Sequence, residues 1–212
     1  MRRYRSIIAG CGVQAVKRKK VCGKDFVGFV DPLSGNADFN SIEDVPIDSF
    51  DLLLACIPDE PKSEYIKYCL RHGKHILVEK PLFLKNSNEF EEFSKLSEQN
   101  KAVCYTAYNH RFEPHFIKMK NLISSGKLGD IYRCRIFYGN GTARLVRESE
   151  WRDQGAGVLA DLGSHLLDTI KFWFGEEVDS KTWKIISANN FENLSLDHVV
   201  IGSENGGLSI EM

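Results

Sequence analysis

No apolar run in this chain approaches the roughly 20 residues needed to span a bilayer, so neither a membrane-spanning protein nor a membrane partner is expected. Charge of one sign is also missing: 28 Lys and Arg stand against 29 Asp and Glu, a formal net charge of −1. That balance gives no pull toward nucleic acid or an anionic lipid surface. Clustered cysteine is absent as well. Cys11, Cys22, Cys56, Cys69, Cys104 and Cys134 include no C-x-x-C pair, so no metal site and no disulfide framework is expected, and reduced thiols in a cytoplasmic protein are. Arg2, Arg3 and Arg5 before Ile7-Ile8-Ala9-Gly10-Cys11 imitate a signal peptide. The apolar part, about five residues, falls short of the 7–15 of an h-region, and a buried β-strand is expected instead. No internal repeat or low-complexity tract is present. What is present is ordinary for a globular protein: 212 residues, 42% hydrophobic and 27% charged, enough for one good core or two modest ones.

The first half alternates strand and helix signals. Apolar strands are expected at Tyr4–Cys11, Phe26–Val30, Asp51–Ile57, His75–Val78 and Ala102–Ala107. Helices are expected at Val13–Cys22, closed by Gly23, at Lys62–Arg71, with Gly73 past its end, and at Asn86–Gln99. Continuous apolar strands separated by helices predict an α/β fold, a parallel sheet covered on both faces. The second half changes character. Helices over Phe112–Ser125 and Leu159–Phe174 are joined by strands at Ile131–Tyr138, Trp183–Ser187, His198–Ile201 and Leu208–Met212, with hairpin-turn chemistry at Asn205-Gly206-Gly207. The expectation is a Rossmann domain over residues 1–108 and an α+β domain over 109–212 with an open, mostly antiparallel sheet that looks incomplete. Such an edge favours homo-oligomer formation.

Gly10-Cys11-Gly12-Val13-Gln14-Ala15 fits G-x-G-x-x-A between the first strand and the first helix. The first glycine permits the tight turn, the second lets backbone approach a pyrophosphate, and the small sixth residue lets helix pack on strand. Backbone amides at Val13 and Gln14 would then face phosphate. Asp31, 21 residues after Gly10 at the end of the second strand, is placed to accept from a ribose 2′-OH and to repel a 2′-phosphate, favouring NAD over NADP. Lys17-Arg18-Lys19-Lys20 read as a solvated basic turn complementing the helix dipole.

Glu79-Lys80-Pro81-Leu82 after a buried strand, Tyr108-Asn109-His110-Arg111-Phe112 with Pro114, Gly126-Lys127-Leu128-Gly129, and the run Gly155-Ala156-Gly157-Val158-Leu159-Ala160-Asp161-Leu162-Gly163-Ser164-His165-Leu166-Leu167-Asp168 together resemble the glucose-fructose oxidoreductase / inositol dehydrogenase / rhizopine-catabolism (Gfo/Idh/MocA) family, in the family's order from residue 7 to about 175. The resemblance implies an NAD(P)-dependent oxidoreductase acting on a sugar, nucleotide-sugar or cyclitol, with Lys80, Asp161 and His165 as its catalytic residues. The chemistry of the side chains agrees. Taking a hydride from a carbinol carbon requires a base near neutrality for the hydroxyl proton, and imidazole suits it. Asp161, His165 and Asp168 at helical spacing can share a face, Asp161 orienting the ring or holding a substrate hydroxyl. A lysine at a strand end can stabilise the developing oxyanion. Asp168 reads as a structural partner, and Gly163 as a site of close approach by cofactor or strand. The resemblance further places Ile57, Pro58, Glu79 and Asn109 along the cofactor. Arg111 lies near the nicotinamide or in an ion pair, and Trp151 and Arg152 line a sugar pocket or pack as structure.

The family's Thr-Pro-Asn and following His are replaced here by Ile57-Pro58-Asp59-Glu60-Pro61, and family members usually continue for a hundred residues or more beyond this length. Two alternatives therefore stand beside the dehydrogenase: a non-catalytic dinucleotide binder or inactive truncated enzyme, and a family chemistry of transient oxidation with net isomerisation, elimination or glycoside cleavage.

Overall fold

A computed structural model of the chain describes residues 3–139, 146–148, 153–175 and 178–212. It divides into two compact units, Met1–Ala107 and Tyr108–Met212.

The first unit is a five-stranded parallel sheet in the order β2-β1-β3-β4-β5. Its strands are β1 (Ser6–Ala9), β2 (Phe26–Val30), β3 (Leu52–Ala55), β4 (His75–Val78) and β5 (Cys104–Thr106). Helices α1 (Val13–Cys22), α2 (Lys62–Arg71) and α3 (Ser87–Asn100) connect them. Every residue of β1 is buried, because it lies between β2 and β3 with both faces covered. Ile7, Leu53, Ile76 and Phe50 form one layer of core with Ile66 and Leu70 of α2, while Ile8, Leu54 and Ala15 pack on the other side. Outside β2, Phe39 makes one parallel bridge to Val30, a sixth strand position reduced to a single residue pair. With it the order becomes that of a doubly wound dinucleotide-binding sheet, and the strand order reverses at β1. Helix ends follow local chemistry. Gly23 and Gly73 take positive φ past α1 and α2, and Asn86 caps α3 by accepting from the Glu89 N–H.

The second unit pairs α4 (Pro114–Ser124) and α5 (Ser164–Phe174) with a four-stranded sheet in the order β6-β9-β8-β7. The strands are β6 (Arg133–Arg135), β7 (Lys184–Asn189), β8 (His198–Asn205) and β9 (Leu208–Glu211). The two-residue turn Gly206-Gly207 joins β8 to β9 with positive φ at both positions, as a primed hairpin turn requires. β9-β8-β7 are antiparallel, whereas β6 pairs with β9 in parallel, so the sheet is mixed. Ile170 and Phe174 of α5 pack on Leu208 and Ile210 of β9. Ile185 and Ile186 on strand β7 are exposed.

Among the described residues no helix is long and apolar enough to cross a membrane, and no three metal-ligating side chains gather. All six cysteines are free thiols. Burial pushes the Cys56 thiol up to about 12, with the charge of Glu79 adding, and burial lifts Cys69 to about 12 and Cys104 to about 11. An unfolded thiol, at its ordinary value of 9.0, releases its proton first as pH rises. The stability these thiols contribute is therefore intact below that pH and lost on the way to their folded values. Tm is expected to fall by about 5 °C or more between pH values of about 8 and about 10.5. In the native state these thiols should also react slowly with a thiol reagent at neutral pH, and rapidly only after denaturation.

Candidate active site

Parallel register brings the ends of the strands to one edge. Ala9 lies level with Val30 and with Ala55, Ala55 with Val78, and Val78 with Thr106. The residues that follow, Gly10, Asp31, Cys56-Ile57-Pro58 and Glu79-Lys80, therefore leave the sheet side by side at its carboxyl edge, where α/β sheets take ligands.

Gly10 turns the chain at φ 91°, and a Cβ there would stand 2.3 Å from the Cys56 carbonyl oxygen. Only glycine lets β1 end this close to β3. Gly12 differs: a Cβ there would meet nothing within 4 Å, and its φ of −76° suits any residue. The space over the start of α1 is open, no side chain caps that helix, and Val13 and Gln14 are exposed. Uncapped helix N–H groups beside open space suit a pyrophosphate. Asp31 closes the turn: Oδ2 accepts from the Cys11 N–H at 3.1 Å and Oδ1 from the Leu33 N–H at 2.9 Å. A carboxylate has about four acceptor sites, so capacity for a ribose hydroxyl remains. Ile57 flanks Gly10, its Cγ2 3.5 Å from the same notional Cβ, and Pro58 is exposed beside it.

Glu79 and Lys80 are half-buried, and the Lys80–Pro81 peptide is cis. The basic turn of α1 is not simply solvated. Arg18 donates to Glu79 Oε1 from Nε at 2.9 Å and from a terminal nitrogen at 2.6 Å, and Lys19 Nζ lies 4.7 Å from the centre of the Phe26 ring. Glu79 is thus bound to protein, while Lys17, Lys19 and Lys20 are exposed. Lys62, unremarked in the sequence, is 2% exposed, and its Nζ donates to Asp59 Oδ1 at 2.5 Å and to the Pro81 carbonyl at 2.6 Å.

In the second unit His165 sits on the first turn of α5 and is 8% exposed. Aromatic rings surround it: Tyr108 edge-on at 5.8 Å between centroids, His110 at 4.8 Å and Tyr138 at 6.2 Å. Burial, with the charge of Asp168 adding, pushes the Tyr108 phenol up, so it remains a neutral O–H at physiological pH. His110 Nδ1 lies 2.8 Å from Glu113 Oε1, which also accepts from the Asn109 amide at 2.8 Å. Asn109 is exposed and its side chain is used within its own turn. Arg111 and Asp168 form the ion pair weighed above, two-pronged at 2.7–3.0 Å, with side-chain exposures of 33% and 11%.

The α-helix expected over Leu159–Phe174 needs correction in its first turn. Leu159–Gly163 is a π-helical turn, and the α-helix begins only at Ser164. Such π turns recur at functional sites. At Gly163 a Cβ would come within 2.9 Å of Leu159 Cδ1, the tip of a neighbouring side chain. Trp151 and Arg152 lie outside the described residues.

Sequence reasoning gave no individual role to Lys62 or Tyr138, and named Tyr108 and His110 only as part of a family motif. Lys62 did carry a signal, a cation at the first position of a helix where acids are favoured. For His110 the local contacts to Glu113 and Phe116 could be read from spacing, but those to His165 and Tyr138 could not.

A doubly wound sheet whose carboxyl edge carries a glycine turn, an uncapped helix and an acid after the second strand defines a dinucleotide-binding fold. The comparisons with known proteins agree. Residues 23–108 match the family model described as oxidoreductase family, NAD-binding Rossmann fold, and residues 116–206 match the GFO/IDH/MocA C-terminal domain. The chain belongs to the Gfo/Idh/MocA oxidoreductase family. The first match starts after the glycine turn, so the case for that turn rests on its geometry. An uncharacterized oxidoreductase of Schizosaccharomyces pombe is 30% identical over 141 residues, 65% of this chain and 37% of its own length. A scyllo-inositol 2-dehydrogenase (NADP(+)) of Bacillus subtilis is 28% identical over 140 residues, 64% of this chain and 38% of its own. The chain therefore spans well under half the length of these curated relatives. In fold it is similar to an inositol dehydrogenase homolog from Azotobacter vinelandii, solved with NADH and myo-inositol, at TM-score 0.77 and 18% identity over 97% of this chain and 62% of the other.

Proposed function

We propose that this protein oxidises a secondary hydroxyl of a cyclitol or sugar to a ketone, reversibly, with NAD as its dinucleotide. The observation that carries the reading is the carboxyl edge of the first sheet, where Gly10, Gly12, Asp31, Ile57 and Lys80 leave neighbouring strands around an open helix N-terminus. The bound dinucleotide supplies the hydride acceptor, its nicotinamide ring. The Gly10–Gln14 turn holds the pyrophosphate, Asp31 the adenosine ribose, and Ile57 and Pro58 the wall beside them. Lys80 donates a hydrogen bond to the reacting oxygen and stabilises its negative charge as the C–H hydride leaves. His165 takes the hydroxyl proton on its imidazole, so that one hydride and one proton leave the alcohol and a carbonyl remains. Asp161 holds a substrate hydroxyl or orients that ring. The inositol dehydrogenases among its relatives support a polyol substrate.

Asp31 sets the choice of dinucleotide through its charge. Asp31→Ala is expected to lower the ratio of NADPH to NADH dissociation constants about tenfold or more, about 1.4 kcal/mol. The ratio cancels any loosening of the turn, because both ligands share it. Titration of tryptophan emission with each dinucleotide measures it. The reading as a whole is tested by NADH production from NAD across a panel of inositols and sugars. Saturable turnover on at least one supports it, and dinucleotide binding with no turnover on any would replace it with a binding role.

A further inference from the structure

Lys62 occupies a place that costs a cation a good deal. It is 2% exposed and opens α2, at the positive end of that helix, so neither solvent nor dipole favours its charge. Its ammonium is compensated by Asp59 Oδ1 at 2.5 Å, three residues back, and its remaining bond crosses to the Pro81 carbonyl at 2.6 Å. Pro81 directly follows Lys80. On the other side of Lys80, the Glu79 N–H donates to the Ala55 carbonyl at 3.0 Å and the Glu79 carboxylate receives Arg18. The backbone that carries Lys80 is therefore tied to β3, α1 and α2 at once. The Arg18–Glu79 pair is partly screened, its side chains being 31% and 19% exposed. Lys62 is closed off from water.

The geometry points to Lys62 as a positioning residue: its ammonium clamps the Glu79-Lys80-Pro81 turn and so fixes where the Lys80 amine stands for the reaction proposed above, on which this inference rests. Placement errors of about 1 Å at a reacting group can cost about a hundredfold in rate. The clamp thus acts on turnover through Lys80 and leaves dinucleotide affinity to the glycine turn.

The test uses Lys62→Met in the full chain. Methionine fills the buried stem, and the Asp59 side chain left behind is 46% exposed, so no buried charge is orphaned and the variant should fold. Two readouts are taken, hydrogen exchange of the backbone over residues 77–84 and steady-state kinetics, with Lys80→Met as reference. Faster exchange over 77–84, with kcat down at least tenfold and KM and NADH affinity within threefold of wild type, supports the clamp. Lys62→Gln, which keeps a neutral donor for Pro81, should recover part of the loss. Unchanged exchange overturns the clamp whatever turnover does. Wild-type kcat in Lys62→Met overturns the positioning role, as does a parallel loss of kcat, NADH affinity and Tm, which marks a merely structural lysine. If Lys80→Met itself turns over like wild type, the proposed role of Lys80 fails and the positioning role with it, while the exchange result stands alone as a statement about the turn.

Discussion

His165→Asn is expected to lower kcat by about 10²- to 10⁴-fold, the range supplied by a positioned general base, with NADH affinity unchanged. The fold should survive the change. Thr169 bonds the backbone carbonyl of residue 165 rather than its ring, and α5 is held to the sheet by Ile170 and Phe174. Lys80→Met should cost about 10²- to 10³-fold, the usual loss when a donor to a developing oxyanion is removed. Both losses should fall on kcat rather than on KM, because each group acts most strongly on charge that exists only in the transition state. Steady-state rates on the best polyol of the panel, with NADH titrations of each variant, measure the two effects separately.

The glycine turn gives the second large effect, and it separates folding from binding. Gly10→Ala puts a Cβ 2.3 Å from the Cys56 carbonyl oxygen in a backbone conformation of φ 91°. Strain and overpacking together should destabilise the first unit by about 3 kcal/mol or more, with NADH binding lost alongside. Gly12→Ala should behave differently. Its new methyl meets no atom within 4 Å, so thermal unfolding should shift by only a few degrees. The methyl nevertheless stands where backbone must approach pyrophosphate, and NADH affinity should fall about tenfold or more. Equal NADH affinity in Gly12→Ala and wild type would mean that the dinucleotide does not lie over this turn.

These contrasts also show which features can be read from a linear sequence. α2 and β4 match their expected bounds because Pro58, Pro61, Gly73 and Pro81 punctuate a strongly apolar pattern. The same local logic places the Gly206-Gly207 hairpin and the glycine turn. β6 is only Arg133–Arg135, although alternation suggests Ile131–Tyr138, because the length of a strand depends on the partner it finds. Its parallel pairing with β9 could not be read from residues more than seventy positions apart. The π turn at Leu159–Gly163 escapes periodicity because it adds one residue to a pattern that looks helical throughout. At the site, Asp31 and Lys80 are legible because strand ends in a parallel sheet gather by rule. Arg18 with Glu79, Lys62 with Pro81 and the rings around His165 are not legible, since each joins residues whose proximity exists only in the folded chain.

The most direct test follows the transferred atom itself. A cyclitol or sugar carrying deuterium on its carbinol carbons is mixed with NAD and a stoichiometric amount of protein, and the dinucleotide is recovered for mass spectrometry after a single turnover. Wild type should return NADH one deuterium heavier, and Lys80→Met and His165→Asn, given the same time, almost none. Unlabelled NADH from wild type, or equal labelling by all three proteins, would contradict hydride transfer assisted by Lys80 and His165.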